Sequence, residues 1–483
     1  MALRQTAGLW GGLIAFGLLL LLPLPDGLTA AGRAVAAVAV LMAVWWIAEA
    51  LPLAATALLP VLLFPLLGVV PADEVTRAYG HHLIFLFLGG FMIAVTLERW
   101  NLHRRLALQT IHMVGSSPVR LLLGFMLATA LLSMWISNTA SVMMMVPIAA
   151  AVAGRYSGGD TTNECQGGLA SALMLGVAYS ASIGGIATLI GTPPNAILAG
   201  MIEELYGSRI TFATWMAFGL PLALLFLMLT WLYLWCFVLN RGVTELADGL
   251  DNQIIRSELE QLGTMTTAEK RVLIVFVCVA LTWMLRGVVG LDSVARLEDS
   301  TIAVLGALTL FMLPAGQGQR LLDWETAKRI PWDILLLFGG GFALARGFEQ
   351  TGLSEWLGQQ LLVFNGAGPV LIIAIVAVLV KFLTEVTSNT ATATLLIPIM
   401  AAFAEAADLH PYVLMVTTAI SASLAFMLPV ATPPNAIIFG TPYITVPLMA
   451  RVGFWLNLLA VPVTTLFIML LLPWAWDIPV VVK

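Results

Sequence analysis

Two polar trios break apolar stretches of the chain. Ser137, Asn138 and Thr139 interrupt MWISNTASVMMMVPIA (134–149), and Ser388, Asn389 and Thr390 interrupt TEVTSNTATATLLIP (384–398). An amide or hydroxyl set in hydrocarbon without a partner costs about 2–7 kcal/mol, so each trio needs an occupant. Ser and Thr are preferred helix N-caps. Ser137 or Thr139 can therefore start an arm running from Ala140, whose free N–H groups and positive dipole end favour an anionic group. The carbonyls that end the preceding arm, together with Ser133, Ser137 and the Asn138 amide oxygen, are hard ligands suited to a small monovalent cation, with no carboxylate required. A second motif, TPPN, occurs at 192–195 and again at 432–435. Thr192 and Thr432 stand in capping positions, and Pro193 and Pro433 sit where a missing N–H costs nothing. Each proline also stops the half-helix before it, and Asn195 and Asn435 are placed to tie the broken backbone together.

Other candidates for chemistry are weaker. Lys381 and Glu385 are four residues apart on one helix face, as an i, i+4 ion pair or as a charged group near an anion. Glu49, Glu98 and Glu349 stand at span ends and read as boundary or packing groups, and Met143–Met145 reads as packing. Cys165, Cys236 and Cys278 have no paired spacing, and the histidines form no HExxH motif. No activated serine has a partner histidine, and no aspartate pair lies within the spans, so a hydrolase is excluded and no organic cofactor is expected. A net charge of −5 without a dense basic patch points away from nucleic acid.

The elements that must position these residues are membrane helices. Hydrophobic residues make up 60% of the 483-residue chain and charged residues 10%, whereas soluble domains carry about 25% charge. Spanning-length apolar runs lie at 9–23, 33–50, 53–70, 82–98, 213–238, 271–290, 299–314, 333–348 and 452–474. The first is expected to be a retained helix rather than a signal peptide, because many further spans follow it. Residues 120–154 would make one helix of about 52 Å against a hydrocarbon core of about 30 Å. The regions 168–205, 367–404 and 412–441 are likewise too long or too interrupted. Helical hairpins that enter and leave on one side, and helices broken at mid-depth, fit these lengths, provided protein or a watery cavity surrounds the breaks. With the N-terminus inside and both hairpins non-crossing, the inside loops collect most of the Arg and Lys. The outside loops hold Arg33, Arg77, Arg209, Arg286, Arg296 and Lys483, in keeping with the positive-inside rule.

The two halves repeat. FLGGFMIAVTLERWNL (87–102) matches FGGGFALARGFEQTGL (338–353), and the two SNT motifs are likewise 251 residues apart (388 − 137). The TPPN motifs are 240 apart (432 − 192), the difference being absorbed by the loop YSGGDTTNECQGG. Each repeat holds an odd number of true spans, so the second is inverted, the architecture of secondary transporters that bind at the bilayer midplane. The expected fold is an all-α polytopic membrane protein of about eleven transmembrane helices plus two re-entrant helical hairpins. Its parts are an N-terminal transmembrane helix (1–30), a first repeat (31–240, with hairpin 120–154 and broken helix 168–205), a cytoplasmic linker (241–270) and a second repeat (271–483, with hairpin 367–404 and broken helix 412–441).

MWISNTASVMMMVP, TEVTSNTATATLLIP, IGTPPN and ATPPN, in this order and as symmetric pairs, resemble the divalent anion:sodium symporter family over essentially the whole chain. The resemblance implies an elevator-type homodimer in the inner (plasma) membrane, each protomer having a fixed scaffold and a mobile transport domain. It implies one sodium site at Ser133, Ser137, Asn138 and the Gly191 backbone, and another at Thr384, Thr387, Asn389 and the Ala431 backbone. Substrate carboxylates would lie against Asn138, Thr139, Asn389 and Thr390, with Thr192, Thr432 and Pro433 nearby. The residues flanking the SNT motifs look like the sodium-coupled branch, and Ser141 stands where the family often has Thr. The implied activity is sodium-driven uptake of C4-dicarboxylates (succinate, malate or fumarate). A dicarboxylate exchanger, or a citrate or sulfate carrier, is the alternative within the family.

Overall fold

The computed structural model describes all residues except 1, 116, 157–167, 240–250, 287–296, 317, 362–367 and 483. The loop that absorbs the spacing difference between the repeats, Cys165 and the start of the 241–270 linker fall outside the described residues.

Local chemistry sets the helix starts. Thr29, Ser117, Thr211 and Thr445 each accept a hydrogen bond from the backbone three residues on, satisfying one of the orphan donors at a helix N-terminus. The long apolar regions divide where their polar motifs fall. Residues 120–154 become Pro118–Ser133 and Asn138–Tyr156, and 367–404 become Pro369–Thr384 and Asn389–Ala406. The TPPN regions become Leu169–Gly185 with Pro193–Tyr206, and Pro411–Ser423 with Pro433–Phe439. Among the described residues, five helices are long and apolar enough to cross a bilayer: Leu3–Leu21, Ala30–Ala48, Ala72–Arg99, Phe212–Phe237 and Val446–Trp476.

Three expectations need correction. The run 53–70 is not one span but two short helices, Leu53–Thr56 and Leu59–Leu66. Pro60, in the first turn of the second helix, has no N–H to carry the first helix on through the break. The linker is not a plain loop: it contains the helix Asp251–Leu262, followed by a Thr266–Glu269 capping box. Arg105 anchors this segment with hydrogen bonds to Glu269 Oε1 (2.9 Å) and to the carbonyls of Gly263 (2.9 Å) and Leu262 (3.1 Å). A small antiparallel pair, Pro314–Gly316 with Gln319–Arg320, also departs from an all-helical chain.

Packing sorts the helices into two sets. Each hairpin arm lies against a broken helix, and Phe212–Phe237 and Val446–Trp476 join that bundle. The helices His82–Arg99, Thr267–Leu285, Asp299–Met312 and Trp332–Gln350 pack with Ala30–Ala48 or with one another as a wall beside it. The broken helices form the core, with every residue from Ser171 to Thr192 and from Tyr412 to Phe426 buried. Gly184 permits close approach of a neighbouring backbone in the first repeat, since a Cβ there would stand 2.3 Å from the Ala130 carbonyl oxygen. Gly184→Ala is therefore expected to destabilise the protein by about 1–3 kcal/mol through overpacking. The check is the unfolding midpoint in detergent beside Gly17→Ala, where nothing lies within 4 Å.

Candidate functional site

At the first hairpin tip, Ser133 Oγ donates to Asn138 Oδ1 at 2.5 Å and Ser137 Oγ accepts from the Ala140 N–H at 3.2 Å. Ser137 is thus the cap of the second arm. Gly185 faces this tip: a Cβ on it would lie 2.9 Å from Asn138 Oδ1 and 3.1 Å from the Gly191 carbonyl oxygen. The amide oxygen and the carbonyl therefore crowd one point, which only a glycine leaves open.

The second tip repeats the arrangement 251 residues later (389 − 138). Thr384 Oγ1 lies 2.7 Å from Asn389 Oδ1 and 3.0 Å from the Ala422 carbonyl. Thr387 Oγ1 lies 2.6 Å from Thr392 Oγ1 and donates to the Leu383 carbonyl at 2.8 Å. The first repeat has Ile136 in place of Thr387, so the Ser141 hydroxyl is buried without a hydrogen-bond partner. Ser388 occupies the cap position but makes no side-chain cap bond.

Both breaks are tied as the sequence suggests. Asn195 Nδ2 donates to the carbonyls of Gly185 (3.1 Å) and Thr188 (2.8 Å), and Asn435 Nδ2 donates to those of Ala425 (3.2 Å) and Leu428 (3.0 Å). Thr432 Oγ1 accepts from the Asn435 N–H at 3.3 Å, whereas Thr192 makes no such bond and does not cap its helix through its side chain.

These elements enclose one cavity of about 580 Å³. Ser137, Asn138, Thr139, Gly191, Thr192 and Pro193 line it from the first repeat, and Thr387, Asn389, Thr390, Ala431, Thr432 and Pro433 from the second. Ser133 and Thr384 are fully buried one layer behind. The N-terminal ends of four helices border the cavity, and such ends favour anions. The opposite wall is apolar, with Phe87, Phe91 and Ile334, and the charged side chains lining the space are Arg4 and Glu49. Chemically, the cavity offers hydroxyl, amide and carbonyl oxygens for a cation, and backbone and side-chain donors for an anion.

Several polar residues take places that the sequence does not indicate. Glu49 lines the cavity instead of closing a packing seam, and it ends its helix in a left-handed conformation at φ 52°. Met143 is exposed while Met145 is buried, so packing accounts for only part of that triplet. Lys381 and Glu385 are buried but do not pair with each other. Lys381 Nζ donates to the Leu424 carbonyl at 2.5 Å and lies 5.1 Å from the centre of the Phe426 ring. The Glu385 carboxylate accepts from the N–H groups of Phe426 (2.7 Å), Met427 (3.0 Å) and Leu428 (3.1 Å), and from Asn457 Nδ2 (2.6 Å). Both side chains hold the broken segment of the second repeat. Asn457, a polar residue in an apolar helix, was the one available signal of this network.

The model of the sodium:sulfate symporter transmembrane region matches residues 4–482. The chain belongs to the sodium:sulfate symporter family. The sodium-dependent dicarboxylate transporter SdcS of Staphylococcus saprophyticus is 46% identical over 477 residues, covering 97% of this chain and 92% of that protein. SdcS of Staphylococcus aureus (strain MRSA252) is 43% identical, covering 97% and 91%. Among solved structures, MtrF of Neisseria gonorrhoeae superposes with a TM-score of 0.60 at 13% identity, covering 98% of this chain and 96% of that one. The YdaH transporter of Alcanivorax borkumensis gives 0.58 at 12%, covering 99% of each. At these identities the likeness is one of fold.

For this symporter-family chain, Glu385→Ala strands several buried donors, each costing about 1–3 kcal/mol when unpaired. We expect a loss of about 2–4 kcal/mol after water recovers part of that sum. Glu385→Gln, which keeps an acceptor oxygen, is expected to lose less. Thermal unfolding of the purified variants measures the difference.

Proposed function

We propose that the chain is a sodium-coupled symporter that carries C4-dicarboxylates such as succinate, malate and fumarate into the cytoplasm. The observation that carries this reading is the single cavity where both Ser-Asn-Thr tips and both Thr-Pro-Pro helix starts meet. The naming of the SdcS relatives as sodium-dependent dicarboxylate transporters supports the choice of cargo.

In this reading one sodium ion sits at Ser133, Ser137, Asn138 and the Gly191 carbonyl, and another at Thr384, Thr387, Asn389 and the Ala431 backbone. The substrate carboxylates lie between Asn138 and Thr139 on one tip and Asn389 and Thr390 on the other, beside Thr192, Thr432 and Pro433. Two monovalent cations cancel the charge of one dianion, which removes the main electrostatic barrier to moving it through a low-dielectric zone. Because the polar groups belong to the hairpin bundle and the facing wall is apolar, cargo moves with the bundle. The wall helices are the fixed scaffold, and the cycle is an elevator-like displacement across eleven spans and two re-entrant hairpins. The protein works as a homodimer in the plasma membrane.

The test is uptake of labelled succinate into proteoliposomes with and without an inward sodium gradient. Faster uptake with the gradient is expected, and equal rates remove the coupling. Competition by unlabelled succinate, citrate and sulfate fixes the preferred anion, and sulfate displacing succinate as the best competitor overturns the dicarboxylate assignment. Hydrogen bonds to charged groups are worth about 1.5–3 kcal/mol. Asn138→Ala and Asn389→Ala should accordingly each lower uptake by about tenfold or more while the protein still elutes as a folded species.

A further inference from the structure

A second set of ligand-type side chains, His81, His82 and Glu203, lies outside the cavity lining. His81 caps the N-terminus of the His82–Arg99 helix, which belongs to the apolar wall. Glu203 stands in the last turn of Pro193–Tyr206, the half-helix that starts at the cavity. His82 and Glu203, 121 residues apart in sequence, thus meet at the boundary between wall and bundle. By the distribution of Arg and Lys, this end of the molecule faces outside.

The geometry is that of convergence on one atom. Glu203 Oε2 lies 2.6 Å from His82 Nε2 and 3.7 Å from His81 Nε2, while Glu203 Oε1 accepts from Arg209 Nε at 2.7 Å. The two imidazole rings are 4.6 Å apart between centroids. Two imidazole nitrogens facing one carboxylate oxygen make a ligand set. His81 Nε2, His82 Nε2 and Glu203 Oε2 all lie within 4.8 Å of one another, and His81 Nε2 is also 3.8 Å from Glu204 Oε1. All three side chains are partly buried.

We propose that His81, His82 and Glu203 form a binding site for a divalent transition-metal ion of the zinc class that bridges the wall and the hairpin bundle. Two imidazole nitrogens and one carboxylate oxygen suit zinc, which prefers nitrogen and oxygen ligands at about 2.0–2.2 Å, over calcium or magnesium, which take oxygen. Side-chain rotations open the 2.6 Å contact of His82 with Glu203 and draw His81 in from 3.7 Å. Each imidazole offers the ion the lone pair of Nε2 and keeps one hydrogen on Nδ1; a hydrogen that stood on Nε2 is exchanged through solvent for the one on Nδ1. On His82 that Nδ1 has Glu298 Oε2 4.0 Å away as the outer partner that orients a metal-bound imidazole. His81 gives up a long cap bond, 3.3 Å from the Leu83 N–H to its Nδ1. Glu203, Glu204 and Glu298 outnumber the neighbouring guanidinium groups of Arg209 and Arg346, so the surroundings accept a further cation.

An ion held by both sets of helices staples them together and slows any cycle that requires them to slide. This effect on transport rests on the elevator reading, whereas the binding site does not. Two measurements separate them. The first is titration of the purified full-length protein with Zn²⁺ by calorimetry and with Co²⁺ by visible absorption, beside a variant carrying His81→Asn and His82→Gln. Asn preserves the N-cap and Gln preserves a donor to Glu203. The wild type should bind one ion and show the absorption of low-coordinate Co²⁺, and the variant should lose at least the roughly tenfold in affinity that removing even an outer partner costs a metal site. Equal binding by both proteins overturns the site. The second measurement is sodium-driven uptake with Zn²⁺ in the external buffer: it should fall in the wild type, recover with a chelator and be unaffected in the variant. Tight binding without slowed uptake overturns the staple, and equal inhibition of both proteins overturns the assignment of the effect to these residues.

Discussion

A helix broken inside a bilayer must satisfy its own backbone, because no water is guaranteed at that depth. Everything else in this molecule is arranged around meeting that condition twice. Asn195 and Asn435 each bridge the carbonyls ten and seven residues before them, Gly185 and Thr188 in one repeat and Ala425 and Leu428 in the other. The bridges hold the breaks open as ordered loops. Because the loops are held, the half-helices after them start at fixed points, and their N-terminal ends stand around one cavity with the hairpin tips.

The two copies meet the same condition with different chemistry. In the first repeat neutral groups suffice: Trp215 Nε1 donates to the Ile186 carbonyl at 2.9 Å, and Thr188 Oγ1 to the Met134 carbonyl at 2.5 Å. The second repeat uses charges, with Glu385 gathering the N–H groups of 426–428 and Lys381 capping the Leu424 carbonyl. The positions matched to Lys381 and Glu385 at the 251-residue offset are Ala130 and Met134. Hydrogen bonds to charged groups are stronger than those between neutral ones, so the second loop is held more firmly for its length. The fold is symmetric in outline and asymmetric in what secures it.

Much of the architecture was legible because it is written in lengths and in motifs that recur. A run too long for one span, cut by Ser-Asn-Thr or Thr-Pro-Pro-Asn, has few ways to fold, and each of the four regions divides at its motif. The lining of the cavity was legible for the same reason, since the polar tips have nowhere else to go in an apolar chain. Legibility stopped where a residue's role depends on what tertiary packing brings to it. Glu49 and Arg4 look like ordinary span-end charges until the first two helices place them at the cavity. Lys381 and Glu385 have the spacing of an ion pair, yet the unwound loop beside them offers better partners to both. Thr192 and Thr432 sit in identical motifs and only one caps, a difference no local pattern encodes. The helix Asp251–Leu262 was hidden by its polarity, and the residue that anchors it, Arg105, lies 157 residues before the Leu262 carbonyl it bonds.

Tyr179 sits at the centre of the first broken helix, fully buried, and its hydroxyl donates at 2.9 Å to the carbonyl of Phe426, 247 residues later. Ser171 likewise donates to the Tyr443 carbonyl across 272 residues. During synthesis at about 5–20 residues per second, the acceptor for Tyr179 emerges roughly 12–50 s after the donor. For that interval the first repeat is in the membrane with its central polar groups unmatched and its core face uncovered. The nascent first half must therefore be sheltered by lipid, by the insertion machinery or by a looser packing of its own helices, and the final core closes only when the second copy arrives.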